Sequence, residues 1–279
     1  MSIYSDSGYS DSERKTHREI KDALDRARNR HLVHDKRGNV ICSDYELAAV
    51  DYDGRTKWTK ALCDEFEKRF GLPKSEVHFF WFCLVHTGCM DRFKSTYYRR
   101  HPEGCIKYYR RGLRDLNYVA MLEPSIYVSC SKVAPPALQR VYEFEPVASW
   151  HIHGVAWGKD RQAMRDHFNA VEESGAYVPI ATNLKGCWAR FIPPELVGSK
   201  LAYMNKTPRK VNRIWCKNPR DLNRNFQFNQ REEFCRPGEH VQYFSLLSKY
   251  TMDELSLAGG EGSDILRTIK APFLLRTRS

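Results

Sequence analysis

The chain has 279 residues, 42% of them hydrophobic, which suffices for a packed core and excludes wholesale disorder. Its formal net charge of +11 and pI near 9.2 point to a polyanionic partner, either nucleic acid or an anionic membrane. The membrane is disfavoured because no apolar run approaches the ~18 residues a span needs, and the polar opening MSIYSDSGYSDSERK lacks the apolar stretch of a secretory signal.

Residues 1–16 read as a mobile Ser/Asp-rich tail. Residues 17–31 are basic and helix-forming, with Ile20, Leu24 and Ala27 on one stripe, and a turn at DKRGN (35–39) follows. Trp58–Phe70 is predicted as an amphipathic helix with Trp58, Leu62, Phe66 and Phe70 on one face, stopped by Gly71-Leu72-Pro73. These segments form a basic helical N-terminal region, 1–76.

From His78 the texture changes. HFFWFCLVHTG is a buried-strand signature ended by Gly88. Phe93–Leu116 reads as helical, with a break near His101-Pro102. It interleaves cations such as Lys107, Arg110, Arg111 and Arg114 with Tyr97, Tyr98, Tyr108 and Tyr109. That mixture suits single-stranded nucleic acid, and equally an amphipathic helix whose tyrosines pack on a sheet. Tyr118–Tyr127 is a strand, 128–147 a long loop or ragged hairpin, and Ser149–Trp157 another strand. Asp160–Glu173 is a helix with Ala163, His167 and Ala170 inward, and Ala181–Ile192 a fourth strand. Pro193-Pro194 opens a helix from about Glu195 to Asn205 that carries Leu196, Leu201 and Tyr203.

This order predicts an α+β fold with a ferredoxin-like split β-α-β core: an antiparallel sheet with helices on one face, over residues 77–215. The C-terminal extension, 216–279, is basic and helical. Within this part of the chain, 206–239 is loop-like, Val241–Leu255 is helical, and AGGEGS (258–263) is a turn without the Lys-Ser/Thr pair of a phosphate-binding loop. The nine scattered cysteines are odd in number and contain no C-x-x-C, which argues for reduced thiols rather than a disulfide framework or zinc ribbon.

Three features carry chemistry. His151 and His153 lie two apart on a strand, so both imidazoles project from one face and offer half a divalent-metal site. Glu123 interrupts the apolar alternation of the preceding strand, and a carboxylate among apolar residues needs a compensating charge. It is the preferred third ligand, with Glu143 and Glu145 of YEFEP as alternatives closer in sequence. Tyr203 and Lys206, three apart on a helix, share a face, where an ammonium can stabilise a phenolate nucleophile.

In order along the chain, FWFCLVHT (80–87), His151-Ile152-His153 and Tyr203-Met204-Asn205-Lys206 resemble the three motifs of the rolling-circle replication initiators of the HUH endonuclease superfamily, single-tyrosine branch. The resemblance covers about residues 78–210 and departs from the family in the long stretch between Glu123 and His151. It implies Mg²⁺ or Mn²⁺ held by His151, His153 and Glu123, and attack by Tyr203 on a DNA phosphate, with Lys206 in support. The product would be a 5′-phosphotyrosine and a free 3′-hydroxyl that a polymerase extends. It further implies plasmid or phage replication in the cytoplasm of a bacterial host. The partners would be a single-stranded origin hairpin and host helicase, polymerase and single-strand-binding protein. A single-tyrosine transposase or a relaxase on the same core, and a non-catalytic nucleic-acid-binding protein, are the rival readings.

Overall fold

A computed structural model of the chain describes residues 49, 52–92, 102–129, 147–177, 185–206, 210–216, 228–236, 239, 243, 246–247 and 250–276. The elements are α1 (Tyr52–Phe70), β1 (Phe79–Arg92), α2 (Pro102–Gly112), β2 (Asn117–Ser129), β3 (Val147–Trp157), α3 (Arg161–Glu173) and β4 (Cys187–Ile192). A 3-10 turn at Pro194–Leu196 leads into α4 (Val197–Met204), followed by β5 (Lys210–Cys216), β6 (Phe228–Phe234), α5 (Met252–Leu255), β7 (Ser256–Gly259) and α6 (Glu261–Arg276). The fold is α+β. The sheet runs β4-β1-β3-β2-β5-β6, with β7 also paired to β2. All pairings are antiparallel except β2 with β5. β5 and β7 share one edge of β2, β7 along Tyr118–Met121 and β5 along Tyr127–Ser129.

The expectation of helices on one face is corrected: both faces of the sheet are covered. On one face, Phe168 of α3 packs on Phe82 of β1, ring centroids 5.5 Å apart, and α2 lies beside α3 with His167 Nε2 2.9 Å from Gly112 O. On the other, Phe66 of α1 stands edge-on to Trp157 at 5.4 Å, Tyr203 of α4 meets Trp81 at 5.7 Å, and Trp157 Nε1 donates to Glu261 Oε2 of α6 at 3.1 Å. The reason is legible in β1. Phe79 to Leu84 are all buried, so this strand has no solvent face to leave open.

Several boundaries differ from expectation. α1 begins at Tyr52 rather than Trp58, and the expected face of Trp58, Leu62 and Phe66 is fully buried. β1 passes Gly88 through a register shift between Val85 and Met90 and ends at Arg92. In α3, Met164 and Phe168 are buried, whereas Ala163 and Ala170 face solvent; Asp160 is the N-cap, accepting from the Ala163 amide, rather than the first helical residue.

The expected loop 206–239 contains β5 and β6. Their polarity hides them, because Asn212 and Arg213 are buried. Arg213 is held there by the Glu239 carboxylate, with Nη1–Oε1 2.6 Å and Nη2–Oε2 3.1 Å. Part of Val241–Leu255 is the short helix α5, capped by Thr251 and Glu254 in a capping box. In place of the Gly-rich turn, Ala258 and Gly259 end β7, Gly260 turns at φ 53°, and α6 begins at Glu261. Gly262 is required there, since a Cβ would lie 1.9 Å from the Tyr118 carbonyl oxygen.

The 1–16 tail, the 17–31 helix, the DKRGN turn and residues 131–146, Glu143 and Glu145 among them, lie outside the described residues. Among the described residues no helix is long and apolar enough to cross a membrane.

Candidate active site

The site is built on β2 and β3. Their register sets Glu123 directly opposite His151 and Met121 opposite His153, and residues paired across a ladder point to the same face. Glu123, His151 and His153 therefore converge, with ligand atoms all within 4.8 Å of one another. His151 Nε2 lies 3.1 Å from His153 Nε2 and 3.9 Å from Glu123 Oε2. The His153 ring is stacked flat on Trp81 of β1, centroids 5.3 Å apart at 0°, which fixes its orientation.

Burial lowers the pKa of both histidines, for His151 against the opposing pull of Glu123 and for His153 with His151 adding to the effect. Both imidazoles are thus neutral near pH 7, the form that offers a lone pair to a metal. His151 Nδ1 faces Ser149 O at 3.5 Å, which suits a proton on Nδ1 and a lone pair on Nε2. Among the described residues, Glu123 Oε2 and His153 Nδ1 are buried without a hydrogen-bond partner.

This donor set could hold a metal ion. A buried carboxylate oxygen without a donor is costly until a cation compensates it. The 3.1 Å between the two Nε2 atoms is close to the roughly 3.0 Å between adjacent ligands of an octahedral ion with bonds of about 2.1 Å, whereas the 4.8 Å span of the three ligand atoms is wider than the roughly 4.2 Å across such an ion, so the side chains would draw inward on binding one.

α4 brings the phenol to this cluster. The Tyr203 ring stands edge-on to both Trp81 and His153, centroids 5.7 and 5.8 Å away, while 46% of the residue is open to solvent. Lys206 Nζ sits over the Tyr203 ring, 3.7 Å from its centroid. Burial would lower the Lys206 pKa, but the Glu123 carboxylate and the Tyr203 phenol outweigh it and hold the amine above its usual range, as ammonium. Glu123, His151, His153, Tyr203 and Lys206 thus share one face of the sheet, and the alternative ligands Glu143 and Glu145 lie outside the described residues. No family model, curated protein or solved structure matches the chain.

Sequence reasoning missed what holds α4 in place. Arg55 of α1 is buried and donates Nη1 to the carbonyls of Asn205 and Lys206, both at 2.9 Å, and Nε to Ala49 O at 2.6 Å. Those carbonyls close the C-terminal end of α4, where a helix lacks internal donors and a cation is favoured. An arginine bonded to backbone oxygens selects no partner side chain, so the sequence carries no mark of the contact. The basic and aromatic helix α2, conversely, lies beside α3 on the opposite face of the sheet. Its Tyr109 is buried and donates to Trp150 O, and its Tyr108 stacks on His86 at 4.2 Å.

Proposed function

We propose that this protein is a metal-dependent endonuclease of the HUH type that nicks single-stranded DNA and captures the 5′ end on Tyr203. One observation carries the reading: an exposed phenol, an ammonium and a two-histidine, one-carboxylate cluster meet on one face, with Tyr203 against His153 at 5.8 Å. The strand order β4-β1-β3-β2, crossed by α2 and α3, supports a ferredoxin-like split β-α-β core.

His151, His153 and Glu123 would hold Mg²⁺ or Mn²⁺. When bound, the cation supplies Lewis-acid polarisation of a phosphate oxygen and offsets charge on the phosphorane-like transition state. Tyr203 presents its phenol from a helix whose end Arg55 pins. The bond formed is Tyr203 Oη–P and the bond broken is P–O3′; the phenol loses its proton and the departing 3′ oxygen gains one. Lys206, held as ammonium beside the ring, stabilises the phenolate as the proton leaves. The phosphodiester energy is kept in the tyrosyl ester, so rejoining needs no nucleotide. Initiation of rolling-circle replication is the biological role this step serves best. Single-tyrosine transposition uses the same step and differs in the DNA acted on.

The test is covalent capture. Labelled single strands tiling the DNA that encodes the chain are incubated with the protein and Mn²⁺, then run on denaturing gels. Wild type is expected to give a shifted protein–DNA band and a free 3′ end, and Tyr203→Phe to give neither while still binding the strand. No nick and no adduct on any strand overturns the reading.

A further inference from the structure

β4 ends the sheet, pairing with β1 alone, so its outer edge is unpaired within the described sheet. Its register sets Trp188 opposite Cys83 and Arg190 opposite Trp81, and β1 in turn sets Cys83 opposite His153 and Trp81 opposite Val155. Trp188 and Arg190 therefore lie on the face that carries the histidines and Tyr203. The Arg190 guanidinium is exposed and reaches over the Trp188 ring, 5.8 Å from its centroid.

A second cation joins them. Lys200 of α4 precedes Tyr203 by one turn on the same helix face. Its amine is pushed below its ordinary pKa by partial burial and by the like charge of Arg190. Among the described residues neither Arg190 nor Lys200 has a carboxylate partner, although the chain forms such pairs elsewhere, as Arg213 does with Glu239. Two neighbouring cations that repel each other and lack a counter-charge are stabilised together by one anion.

We propose that Trp188, Arg190 and Lys200 form a nucleotide-binding platform that leads a single strand over the β4 edge to Tyr203. Arg190 and Lys200 grip one phosphate next to the scissile one, and Trp188 stacks one base. The platform rests on the nicking reading for its choice of single-stranded DNA as ligand. It reads no sequence, because a cation pair takes any phosphate and an indole stacks on any base. Duplex DNA is disfavoured, since its bases are not free to stack on an indole.

The experiment measures binding of a fluorescent oligothymidine to the full chain by anisotropy, in EDTA and across a salt series. The probe contains no assumed nick site, so it reports the platform apart from cleavage. For Arg190→Gln/Lys200→Gln the expected result is roughly tenfold weaker binding and a log–log salt slope smaller by about 0.7, the share of one phosphate contact on a single strand. Trp188→Leu is expected to weaken binding roughly tenfold with the salt slope kept, the signature of lost stacking rather than lost charge. Arg165→Gln, on the exposed side of α3, is the control and is expected to bind as wild type. Circular dichroism checks that each variant folds.

A double variant with wild-type affinity and slope overturns the platform, as does a wild type that prefers duplex of the same length. The nicking reading fails separately, in the Mn²⁺ adduct assay. A platform that binds as described in a protein forming no adduct leaves the platform standing and removes the nuclease.

Discussion

At the scale of single residues, the decisive group is the Glu123 carboxylate. It is buried opposite His151, and its Oε2 has no donor among the described residues. Glu123→Gln keeps the shape and removes the charge. Calorimetric titration with Mn²⁺ is expected to show affinity at least tenfold lower than wild type, with His153→Ala similarly weakened. Equal Mn²⁺ affinity in wild type and Glu123→Gln would sink Glu123 as a ligand. The histidine pair was legible in the sequence because strand alternation alone puts residues two apart on one face. The partnership of Glu123 with His151 needed the β2–β3 register, which alternation does not supply. Trp188 and Arg190 stayed invisible for the same reason: nothing in CWARFI says which strand lies alongside.

At the scale of elements, two close contacts decide how well the site is held. Gly154 follows His153, and a Cβ there would lie 2.5 Å from Phe82 Cζ, 2.7 Å from Ala120 Cβ and 2.7 Å from the Val119 carbonyl oxygen. Backbone cannot yield as a side chain can, so Gly154→Ala is expected to destabilise the fold by about 1–3 kcal/mol in urea titration. A change within a few tenths of a kcal/mol would contradict the packing described.

Arg55 acts on α4 from a distance of 150 residues in the chain. Arg55→Gln should slow adduct formation while leaving Mn²⁺ affinity unchanged, with partial rescue by Arg55→Lys, because the Glu123–His151–His153 cluster sits on β2 and β3 and the phenol on α4. Loss of both together would assign Arg55 to general stability instead. Helix α1 was legible from its apolar spacing and its Gly71-Leu72-Pro73 stop, whereas α3 was legible as a helix but not in its facing, since Met164 and Phe168 rather than Ala163 and Ala170 are buried. β5 was not, because an Asn-Arg strand stabilised by ion pairs resembles a loop in composition.

At the scale of the whole molecule, the last part of the chain is structural. Met252, Leu255, Leu257, Ile265, Leu266 and Ile269 are all buried in the main core, and β7 extends the sheet along β2. Each such side chain contributes roughly 1.5–3 kcal/mol, so the six together, about 9–18 kcal/mol, are comparable to the whole 5–15 kcal/mol by which domains are usually stable. A chain ending at Thr251 is therefore expected to lose its cooperative thermal transition. A truncated protein that melts like the full chain would refute this.

The β5–β6 side has its own pH dependence. Burial would raise the Glu239 pKa, but hydrogen bonds from Arg213 and from the Arg236 amide pull it below its ordinary value of 4.5. A depressed carboxylate stabilises the fold fully above that ordinary value and loses the contribution as pH falls through the folded one. Urea titrations between pH 6 and 3 should show stability falling less steeply in Glu239→Gln than in wild type.

Glu123, His151 and His153 lie on β2 and β3, both complete by Trp157, whereas Tyr203 and its anchor carbonyls come later in the chain and must dock on an α1 made long before. On a ribosome, therefore, the strands that carry the proposed ligands are made while the proposed nucleophile is not. The residues of the proposed ion site are thus encoded ahead of the proposed nucleophile; β7 then extends the sheet along β2, and α6 covers the face from which the phenol is presented.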